Sequence, residues 1–351
     1  MKKVGVGIIG VGGIACGQHI PQLQRVQEAE IVAICDINPQ QLAKVGDLLA
    51  LPQERRFKDY HGLIACEAVQ AIEICTPNYL HVPMAYDALL TGKAVSIEKP
   101  LALTVEQAQP LVDYNAPKDQ IIMINFSYRF KPAVRYAKDL IDEGKLGRIT
   151  GAQIAYLKDS ALWKDRGMEW RFEKEKAGTG VLGDLGVHLI DMTQLLIGRI
   201  VSVCGRTQTI VTERPYSDGT IGKVETDDIC NFMAVLENGI DTSFTISRAA
   251  YGHGNTIKFD IFGTRGALSF NLNEADTLYV AGEDYPGTER SLHLVKVPKE
   301  YAHGQEQTFI NAIRGKRGRW FPTLADGINS QRILDALLLS SVENRWVDIQ
   351  I

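Results

Sequence analysis

The sequence predicts an α/β domain with a parallel sheet, followed by an α+β domain with a large open, mostly antiparallel sheet. Its 351 residues are enough for two domains of ordinary size. Short apolar strands alternate with helical stretches as far as residue 127, and longer strands separated by turn signals follow. We therefore expect one domain over residues 1–127 and a second over residues 128–351.

Five apolar runs predict the strands of the first domain. They are VGVGIIG, EIVAICD, AIEICT, AVSIEK and QIIMINFS, and helical stretches separate them. Apolar strands separated by helices are typical of a parallel sheet that is covered on both faces. Because such sheets bind ligands beyond the carboxyl ends of their strands, residues at those ends are candidates for function.

The second half contains longer runs that predict an antiparallel sheet. The runs are RITGAQIAYL, VSVCGRTQTIV, DDICNFMAVLENGIDTSFTISRAA and TIKFDIFGTRGALSFN, and Asn238-Gly239 predicts a hairpin within the third. We expect helices at about 131–143, 304–314 and 324–343. One face of the sheet would pack on helices and the other would be available to a second subunit, which predicts a homodimer or homotetramer. This scheme leaves open whether the C-terminal helix packs back on the first domain.

The composition argues against several classes of partner. A net charge of −4 without a basic patch gives no reason to expect nucleic acid or an anionic membrane surface. No apolar stretch reaches the ~18 residues of a membrane span, and glycines interrupt the first apolar run, so we expect no signal peptide. The six cysteines contain no C-x-x-C pair, which indicates reduced thiols in a cytoplasmic protein and no metal site.

The segment after the first strand has the pattern of a dinucleotide-binding turn. GVGGIA, residues 10–15, matches G-x-G-x-x-G/A, in which glycines allow a tight turn and close approach of a pyrophosphate to the backbone. The second strand ends in Asp36, where a carboxylate can bind both ribose hydroxyls of NAD and repel the 2′-phosphate of NADP. Alone, Asp36 is equally typical of a turn or a helix cap. Together these features predict a Rossmann domain that binds NAD rather than NADP.

Two other strands of the first domain end in polar residues. The third run ends in CTPNYLH, which places four residues near the expected nicotinamide: Thr76, Pro77, Asn78 and His81. Asn78 is equally suited to cap the following helix. The fourth run ends in IEKP, where Pro100 keeps Lys99 out of the α conformation. A cation at this position can stabilise the alkoxide that forms as hydride leaves carbon, although a lysine at a strand end is commonly a solvated tip.

The stretch GDLGVHLIDM predicts a helix with one polar face. Asp184 and His188 are one helical turn apart, and Asp191 extends the same face. Gly183 and Gly186 weaken a helix by about 1 kcal/mol each relative to alanine, so we expect a ligand or another backbone to approach closely there. His188 is a candidate base because imidazole titrates near neutral pH. The alternative is a satisfied polar pair in the core.

The stretch WKDRGMEWRFEKEKAGTG, before this helix, is rich in aromatic and cationic residues. As a loop over a cleft, its tryptophans and arginines would stack on a ring and pair with phosphate or hydroxyl groups; as ordinary surface, they would pack or be solvated. These residues are Trp163, Arg166, Trp170 and Arg171. The candidates for lining a substrate pocket are Tyr128, Asp159, Trp163, Tyr251, His253 and Asn255.

Taken in order, the glycine turn, CTPNYLH, GKAVSIEKP and GDLGVHLID resemble the Gfo/Idh/MocA family of oxidoreductases, and the resemblance covers nearly the whole chain. WRF followed by AGTGVLGDLGVHLID is most similar to the inositol and anhydrosugar dehydrogenases. The resemblance implies that the catalytic lysine is Lys99 and that the D-x-x-x-H motif falls on Asp184 and His188. With the strand-end reasoning, the expected cofactor contacts are Gly10, Gly12, Gly13, Ile14, Asp36, Thr76, Pro77, Asn78, His81, Glu98, Lys99, Arg129, Trp170 and Arg171.

These residues predict an NAD-dependent dehydrogenase that oxidises a secondary alcohol of an inositol-, pyranose- or anhydrosugar-like substrate. Lys99 would polarise the reacting oxygen, His188 would accept its proton and Asp184 would position His188 or the substrate, although Lys99 and His188 can exchange roles. Tyr128 and Trp163 complete the expected substrate-binding residues. The resemblance leaves two alternatives open: a glycosidase that recycles NAD, and an NAD-binding regulator without catalysis.

Overall fold

The computed structural model describes residues 2–274, 277–285, 287, 291–302 and 304–350. The chain divides into two compact units. Unit 1 consists of Met1–Phe126 and Gly304–Ile328, and unit 2 consists of Ser127–His303 and Asn329–Ile351. Unit 1 thus includes residues 304–328, whereas the sequence scheme placed all of residues 128–351 in the second domain.

A parallel sheet forms the centre of unit 1. Its described strands are β1 (Val4–Ile9), β2 (Ala29–Cys35), β3 (Arg56–Phe57), β4 (Ala71–Ile74), β5 (Ala94–Ile97) and β6 (Ile122–Ile124). Their order is β3-β2-β1-β4-β5-β6, and every neighbouring pair is parallel. The prediction of a parallel sheet is confirmed. The sequence analysis missed β3, because two residues are too few to give a strand pattern.

Helices connect these strands, as the alternating pattern predicts. They are α1 (Ile20–Leu23), α2 (Pro39–Leu48), α3 (Tyr60–Ala65), α4 (His81–Leu90) and α5 (Val105–Val112). One π-helical turn, Ala15–His19, leads from the glycine turn into α1. The chain moves outward from β1 in both directions along the sheet, so the strand order reverses between β1 and β4. The carboxyl ends of these two strands therefore border the crevice in which such sheets bind ligands.

A large mixed sheet forms most of unit 2. The elements that follow β6 are α6 (Pro132–Asp142), β7 (Ile149–Leu157), α7 (Lys174–Ala177), α8 (Val187–Leu196), β8 (Ile200–Gln208), β9 (Glu213–Pro215), β10 (Ile221–Lys223), β11 (Ile229–Leu236), β12 (Asp241–Ser247), β13 (Thr256–Gly263), β14 (Gly266–Asn271), β15 (Thr277–Gly282), β16 (His293–Lys296), α9 (Gln305–Ile313), α10 (Leu324–Glu343) and β17 (Val347–Asp348). The sheet order is β16-β15-β14-β13-β7-β12-β11-β8-β17, and β9 pairs with β10 separately. Only β7 and β12 run parallel among the described pairs of this sheet, so the prediction of a mostly antiparallel sheet is confirmed.

Alternation of apolar and polar residues gives this sheet one buried face. Phe232 on β11 and Phe244 on β12 lie directly opposite each other, and their rings stack with centroids 4.1 Å apart. Asn231 and Met233, the neighbours of Phe232, point to the other face and are exposed. The turn between β11 and β12 contains Gly239 at φ +76°, so the predicted hairpin is present. The buried face can therefore carry the helix that contains Asp184 and His188.

The apolar face of α9 explains why residues 304–328 belong to unit 1. Phe309 and Ile310 are fully buried and share one apolar cluster with Val6 and Ile8 of β1. Burying a side chain of this size contributes about 1.5–3 kcal/mol, which is enough to hold a short helix in place. The sequence pattern predicts α9 as a helix but does not specify which sheet it packs against.

The described residues contain no helix that combines the length and the apolar character needed to cross a membrane. All six cysteines lie in described segments and none forms a disulfide. Three of them, Cys35, Cys75 and Cys230, are buried, which agrees with the expectation of core thiols.

We expect Phe244→Ala to reduce the free energy of unfolding of unit 2 by about 3–5 kcal/mol, because it removes a stacked ring and leaves a cavity in the sheet core. Urea denaturation followed by circular dichroism measures the change. Met233→Ala, on the exposed face of the neighbouring strand, is the matched control and should stay within about 0.5 kcal/mol of the wild type. Equal losses for both variants would contradict the assignment of the buried face.

Candidate active site

The glycine turn after β1 has the backbone that dinucleotide binding requires. Gly10 has φ +85°, and a Cβ there would lie 2.8 Å from the carbonyl oxygen of Cys75, so both conformation and space demand glycine. A Cβ at Gly12 or Gly13 would meet no protein atom within 4 Å among the described residues. The outer side of the turn therefore has room for a pyrophosphate against the backbone, which fits the predicted cofactor.

Asp36 ties the end of β2 to the glycine turn. Its Oδ2 accepts a hydrogen bond from Val11 N at 2.9 Å, and its Oδ1 accepts one from Asn38 N at 2.8 Å. Asn38 caps α2 by accepting from the backbone N–H groups of residues 40 and 41. The turn role left open for Asp36 is thus present. This role in the turn does not exclude ribose binding by Asp36, because each carboxylate oxygen has a further lone pair.

The segment after β4 carries Thr76, Pro77 and Asn78 at the same edge of the sheet. Residues 78–80 form a 3₁₀ turn, and α4 begins at His81 with Leu80 as its N-cap. Asn78 therefore does not cap α4, which removes the simplest structural explanation for this amide. It is buried, with 8% of its surface exposed.

His81 lies in the interior and not at the surface of this edge. None of its surface is exposed, and its Nδ1 and Nε2 lie 2.8 Å and 2.9 Å from the carbonyl oxygens of Pro100 and Thr76. This enclosed position does not favour the expected direct contact of His81 with the cofactor. His81 instead links the two strand-end segments that carry the other candidate residues.

Glu98 and Lys99 end β5 in different environments. Glu98 is buried, and its Oε1 lies 2.9 Å from Nε2 of His19, whereas Lys99 is half-buried. Burial alone would raise the pKa of Glu98, but the hydrogen bond and charge of His19, and the charge of Lys99, hold it below its usual range. Glu98 is therefore an anion that precedes the candidate catalytic cation. The sequence analysis missed His19, because a histidine inside a helical stretch gives no signal of its distant partners.

In unit 2, an aspartate from a distant segment fixes the start of the helix that carries Asp184. The Oδ1 of Asp227 accepts from Gly180 N at 2.6 Å, and its Oδ2 accepts from Leu182 N at 2.8 Å. These are N–H groups that the first turn of a helix leaves without partners. Residues 182–186 form a π-helical turn that continues into α8. The sequence gives no sign of this cap, since 45 residues separate Asp227 from Leu182.

Close approach of other parts of the protein explains two glycines at the start of this helix. A Cβ at Gly186 would lie 2.8 Å from Cδ1 of Ile246 on β12, so this glycine allows the helix to pack on the sheet. At Gly180 a Cβ would lie 2.0 Å from the carbonyl oxygen of Asp227, which demands glycine at the capped end.

Asp184, His188 and Asp191 do not share one environment. Asp184 is half-buried and lines a cavity, whereas His188 is 6% exposed and Asp191 is 1% exposed. Asp191 forms a buried ion pair with Arg129, whose Nε lies 2.7 Å from its Oδ2. This ion pair ties α8 to the segment before α6, and the cofactor contact expected for Arg129 stays a prediction.

Two tyrosines and one asparagine form a hydrogen-bonded chain beside His188. The Oη of Tyr156 donates to Oδ1 of Asn255 at 2.9 Å and lies 2.8 Å from the Oη of Tyr128. The ring of Tyr128 meets the His188 ring edge-on, with centroids 4.5 Å apart. Burial raises the pKa of Tyr156 well above its usual range, so this hydroxyl stays protonated. Since Tyr156 donates to Asn255, it accepts from Tyr128, and the Tyr128 oxygen keeps its lone pairs for another donor.

A cavity of about 600 Å³ opens in unit 2 beside Asp184. Its wall carries both positive and negative groups, and the expected loop residues Trp163, Arg166 and Arg171 take part in it. It is lined by Lys158, Ser160, Trp163, Asp165, Arg166, Glu169, Arg171, Asp184, Leu185 and Arg248.

Each arginine that lines this cavity is paired with a carboxylate of the protein. Glu169 accepts from Arg166 at 2.6 Å and from Arg171 at 3.1 Å. Arg171 also lies over the ring of Trp170, 4.5 Å from its centroid, and Arg248 pairs with the buried Asp228. Trp170 and Arg171, which the sequence analysis expected at the cofactor, are thus engaged with each other. A wall of balanced charges suits a substrate that is neutral and rich in hydroxyl groups.

Two family models match the chain. The model described as "Oxidoreductase family, NAD-binding Rossmann fold" matches residues 4–126, and the "GFO/IDH/MocA C-terminal domain" model matches residues 134–269. Levoglucosan dehydrogenase of Pseudarthrobacter phenanthrenivorans is 32% identical and is matched over 88% of this chain and 88% of its own length. The chain belongs to the Gfo/Idh/MocA family.

This Gfo/Idh/MocA oxidoreductase is also similar to other enzymes of the family. Inositol 2-dehydrogenase of Rhizobium meliloti is 25% identical over 98% of each chain. A solved structure of levoglucosan dehydrogenase in complex with NADH and L-sorbose is 30% identical, with a TM-score of 0.90 over 100% of both chains. The resemblance found in the sequence is confirmed, and so is the assignment as an oxidoreductase with an NAD-binding Rossmann fold.

We expect His81→Gln to change how the stability of unit 1 depends on pH. Burial lowers the pKa of His81 below 6.5 and outweighs the two carbonyl groups that raise it. Below about pH 6.5 the unfolded chain takes up a proton that the folded site resists, so the contribution of His81 is present at neutral pH and is lost as pH falls. The stability of the wild type relative to His81→Gln should decrease between about pH 6.5 and pH 5.

Urea denaturation across this pH range measures the difference. His61→Gln is the matched control, because His61 lies in the same unit and is exposed. A difference between wild type and His81→Gln that stays constant with pH would contradict the assignment.

Proposed function

We propose that this oxidoreductase is an NAD-dependent dehydrogenase that oxidises a secondary alcohol of a cyclic polyol or sugar. The observation that carries the proposal is the cavity beside Asp184, whose arginines are neutralised by carboxylates and which presents the indole of Trp163. Trp163 is 58% exposed, and its Nε1 donates to Asp159 at 3.1 Å, so the ring is oriented and accessible. An exposed indole can pack against the C–H face of a sugar ring while the charged wall binds hydroxyl groups.

The proposed reaction removes a hydride from a carbinol carbon and a proton from its oxygen. NAD, when bound, accepts the hydride. Lys99 stabilises the negative charge that develops on the oxygen, and His188 accepts the proton, with the roles of the two exchangeable. Asp184 positions His188 or binds an adjacent hydroxyl, and Tyr128 accepts a hydrogen bond from a substrate hydroxyl through the oxygen that Tyr156 leaves available.

The cofactor contacts are proposed in the same way. Gly10, Gly12, Gly13 and Ile14 approach the pyrophosphate, and Asp36 accepts from the ribose hydroxyls. The residues that end β4 and β5 lie nearer the nicotinamide in this proposal: Thr76, Pro77, Asn78, Glu98 and Lys99. The buried His81 supports them from within. NADP is disfavoured, because its 2′-phosphate would approach the Asp36 carboxylate.

The polar exposed face of the large sheet supports the proposal of a homodimer or homotetramer. Residues 231 and 233 of β11 and residue 245 of β12 are exposed on this face. A second copy of the chain would cover it without disturbing the cavity beside Asp184. Six free thiols agree with the proposal of a reducing, cytoplasmic location.

We expect Lys99→Ala to reduce turnover by at least about 10²-fold, because the developing alkoxide loses its cation. The assay is absorbance of reduced cofactor with a panel of inositols, pyranoses and anhydrosugars. The dissociation constant for NAD should change less than about threefold. Lys118→Ala, at an exposed lysine of the same unit, should match the wild type. Unchanged turnover in Lys99→Ala would remove this lysine from the mechanism.

The same assay separates the alternatives. Release of a leaving group from an aryl glycoside without net reduction of NAD would favour the NAD-recycling glycosidase. NAD binding without turnover of any substrate in the panel would favour the regulator.

We expect Asp36→Asn to shift cofactor preference toward NADP by about tenfold or more, which corresponds to about 1.4 kcal/mol. The amide keeps an acceptor oxygen for one of the two backbone N–H groups and loses the charge that repels a 2′-phosphate. Titration with NADH and NADPH, followed by fluorescence, measures the ratio. Asp113→Asn, at an exposed aspartate of unit 1, is the control. An unchanged ratio would contradict the role given to Asp36.

A further inference from the structure

Four buried ionisable side chains meet inside unit 1, and the dehydrogenase mechanism uses only one of them. His19 comes from the π-helical turn before α1, Glu73 from β4, Glu98 from the end of β5 and Glu306 from the first turn of α9. Their exposed fractions are 2%, 0%, 8% and 1%. Burying four such groups is costly unless they are paired, so their arrangement requires an explanation.

The imidazole of His19 is at the centre of this cluster. Its Nε2 lies 2.9 Å from Oε1 of Glu98, and its Nδ1 lies 2.9 Å from Oε1 of Glu306 and 2.8 Å from Oε2 of Glu73. Of these two carboxylates, Glu306 has the hydrogen-bond geometry with Nδ1. Ionised carboxylates only accept, and their charge stabilises a proton on each nitrogen, which the neutral carbonyl oxygens beside His81 do not; a ring that donates to both Glu98 and Glu306 carries both protons. The ring is therefore a cation between two anions.

The protonation of the other groups balances this charge. Burial lowers the pKa of His19, but Cys75, Glu73 and Glu306 raise it well above its usual value. Burial raises the pKa of Cys75 to about 12, so this thiol is neutral and the carboxylates supply the charge that His19 needs. Burial and the charge of Glu306 raise the pKa of Glu73 well above its usual range. A raised pKa favours the neutral acid at Glu73, so the anions that face His19 are Glu98 and Glu306.

The same cluster has the donor types of a metal site, but its spacing fits protons better. Donor atoms of His19, Glu73 and Cys75 lie within 4.8 Å of one another. Ligands at about 2.0–2.1 Å from a tetrahedral zinc ion are about 3.3 Å apart. The separations of 2.8 Å and 2.9 Å around His19 are shorter than this and are hydrogen-bond lengths.

The cluster bears directly on the position of Lys99. On one side of Lys99, the side chain of Glu98 is bound by His19; on the other, the carbonyl oxygen of Pro100 lies 2.8 Å from Nδ1 of His81. The backbone that carries the lysine is thus held from both sides by buried imidazoles. Since His19 is also bound to Glu306, this support reaches α9, the helix that returns to unit 1.

We propose that His19 is a positioning residue for the dehydrogenase reaction: as a doubly bonded imidazolium it fixes the Glu98 carboxylate, and through it the backbone from which Lys99 reaches the substrate. This inference rests on the proposed function. His19 touches neither substrate nor cofactor in it. Its effect on catalysis is transmitted through the geometry of residues 98–100.

The test compares His19→Gln, Glu98→Gln and the double variant in the full chain. Glutamine can donate from its amide nitrogen toward Glu98, but its amide oxygen only accepts and cannot replace the second ring N–H toward Glu306. We expect His19→Gln to reduce kcat about tenfold or more, while the dissociation constant for NAD and the KM for the best polyol of the panel change less than threefold. The kcat of the double variant should lie no more than about twofold below that of the worse single variant, because both substitutions act through one contact. His61→Gln is the matched control.

Two further measurements do not depend on turnover. Hydrogen exchange of the amides of residues 97–101 should be at least tenfold faster in His19→Gln than in His61→Gln. In the wild type, nitrogen NMR of labelled histidine should show His19 protonated at both ring nitrogens at pH 8. The NMR measurement stands even if His19→Gln fails to fold. If the exchange difference and the NMR result are both observed but the wild type turns over no polyol, the proposed function is rejected and the positioning geometry stands.

Three outcomes would overturn the proposal. The first is a folded His19→Gln whose kcat lies within twofold of the wild type. The second is a parallel loss of kcat and NAD affinity with a lowered melting temperature, which would indicate a purely structural role. The third is about one equivalent of zinc in the purified wild type, removed by a chelator together with the histidine signals, which would make the cluster a metal site.

Discussion

Buried carboxylates have to be paired, and this constraint fixes most of the residues around the candidate site. In unit 1, Glu98 is bound by His19 at the end of β5. In unit 2, Asp227 accepts from the helix that leads to Asp184, and the adjacent Asp228 forms an ion pair with Arg248 at the cavity. Each of these anions connects segments that are far apart in the chain. Removing one partner would leave the other charged and desolvated, at a cost of about 3–5 kcal/mol, so each pair fixes the candidate residues of its own unit.

The same pairing determines the character of the cavity. Arg166 and Arg171 share Glu169, and Arg248 is bound to Asp228, so cationic side chains at the wall do not add up to an anion site. What remains are many hydrogen-bonding groups beside an exposed indole. In the proposed function, that combination favours hydroxyl-rich, uncharged rings over phosphorylated ones.

Several candidate residues have partners that a residue type alone does not specify. His81 is a polar residue at a strand end, yet it is enclosed, and its ring nitrogens lie against two carbonyl groups. Arg129 was expected at the cofactor and is bound to Asp191. Gly186 was expected to admit a ligand or another backbone, and the neighbour that approaches it is the side chain of Ile246. In each case the residue type marks the position as unusual, but at least one partner lies 19 or more residues away in the chain.

The sequence by itself determined the fold class, the order of the elements and the local chemistry of the strand ends. These depend on periodicity, turn residues and short motifs, which act over a few residues: the glycine turn at 10–15, the hairpin at Asn238-Gly239 and the helices α9 and α10 all lie where the pattern places them. Only the tertiary structure decided that α9 joins unit 1, that His19 gathers three carboxyl groups, and that Asp227 caps the helix before His188. These contacts join residues separated by tens to hundreds of positions. They depend on packing and desolvation, which no local pattern in the sequence records.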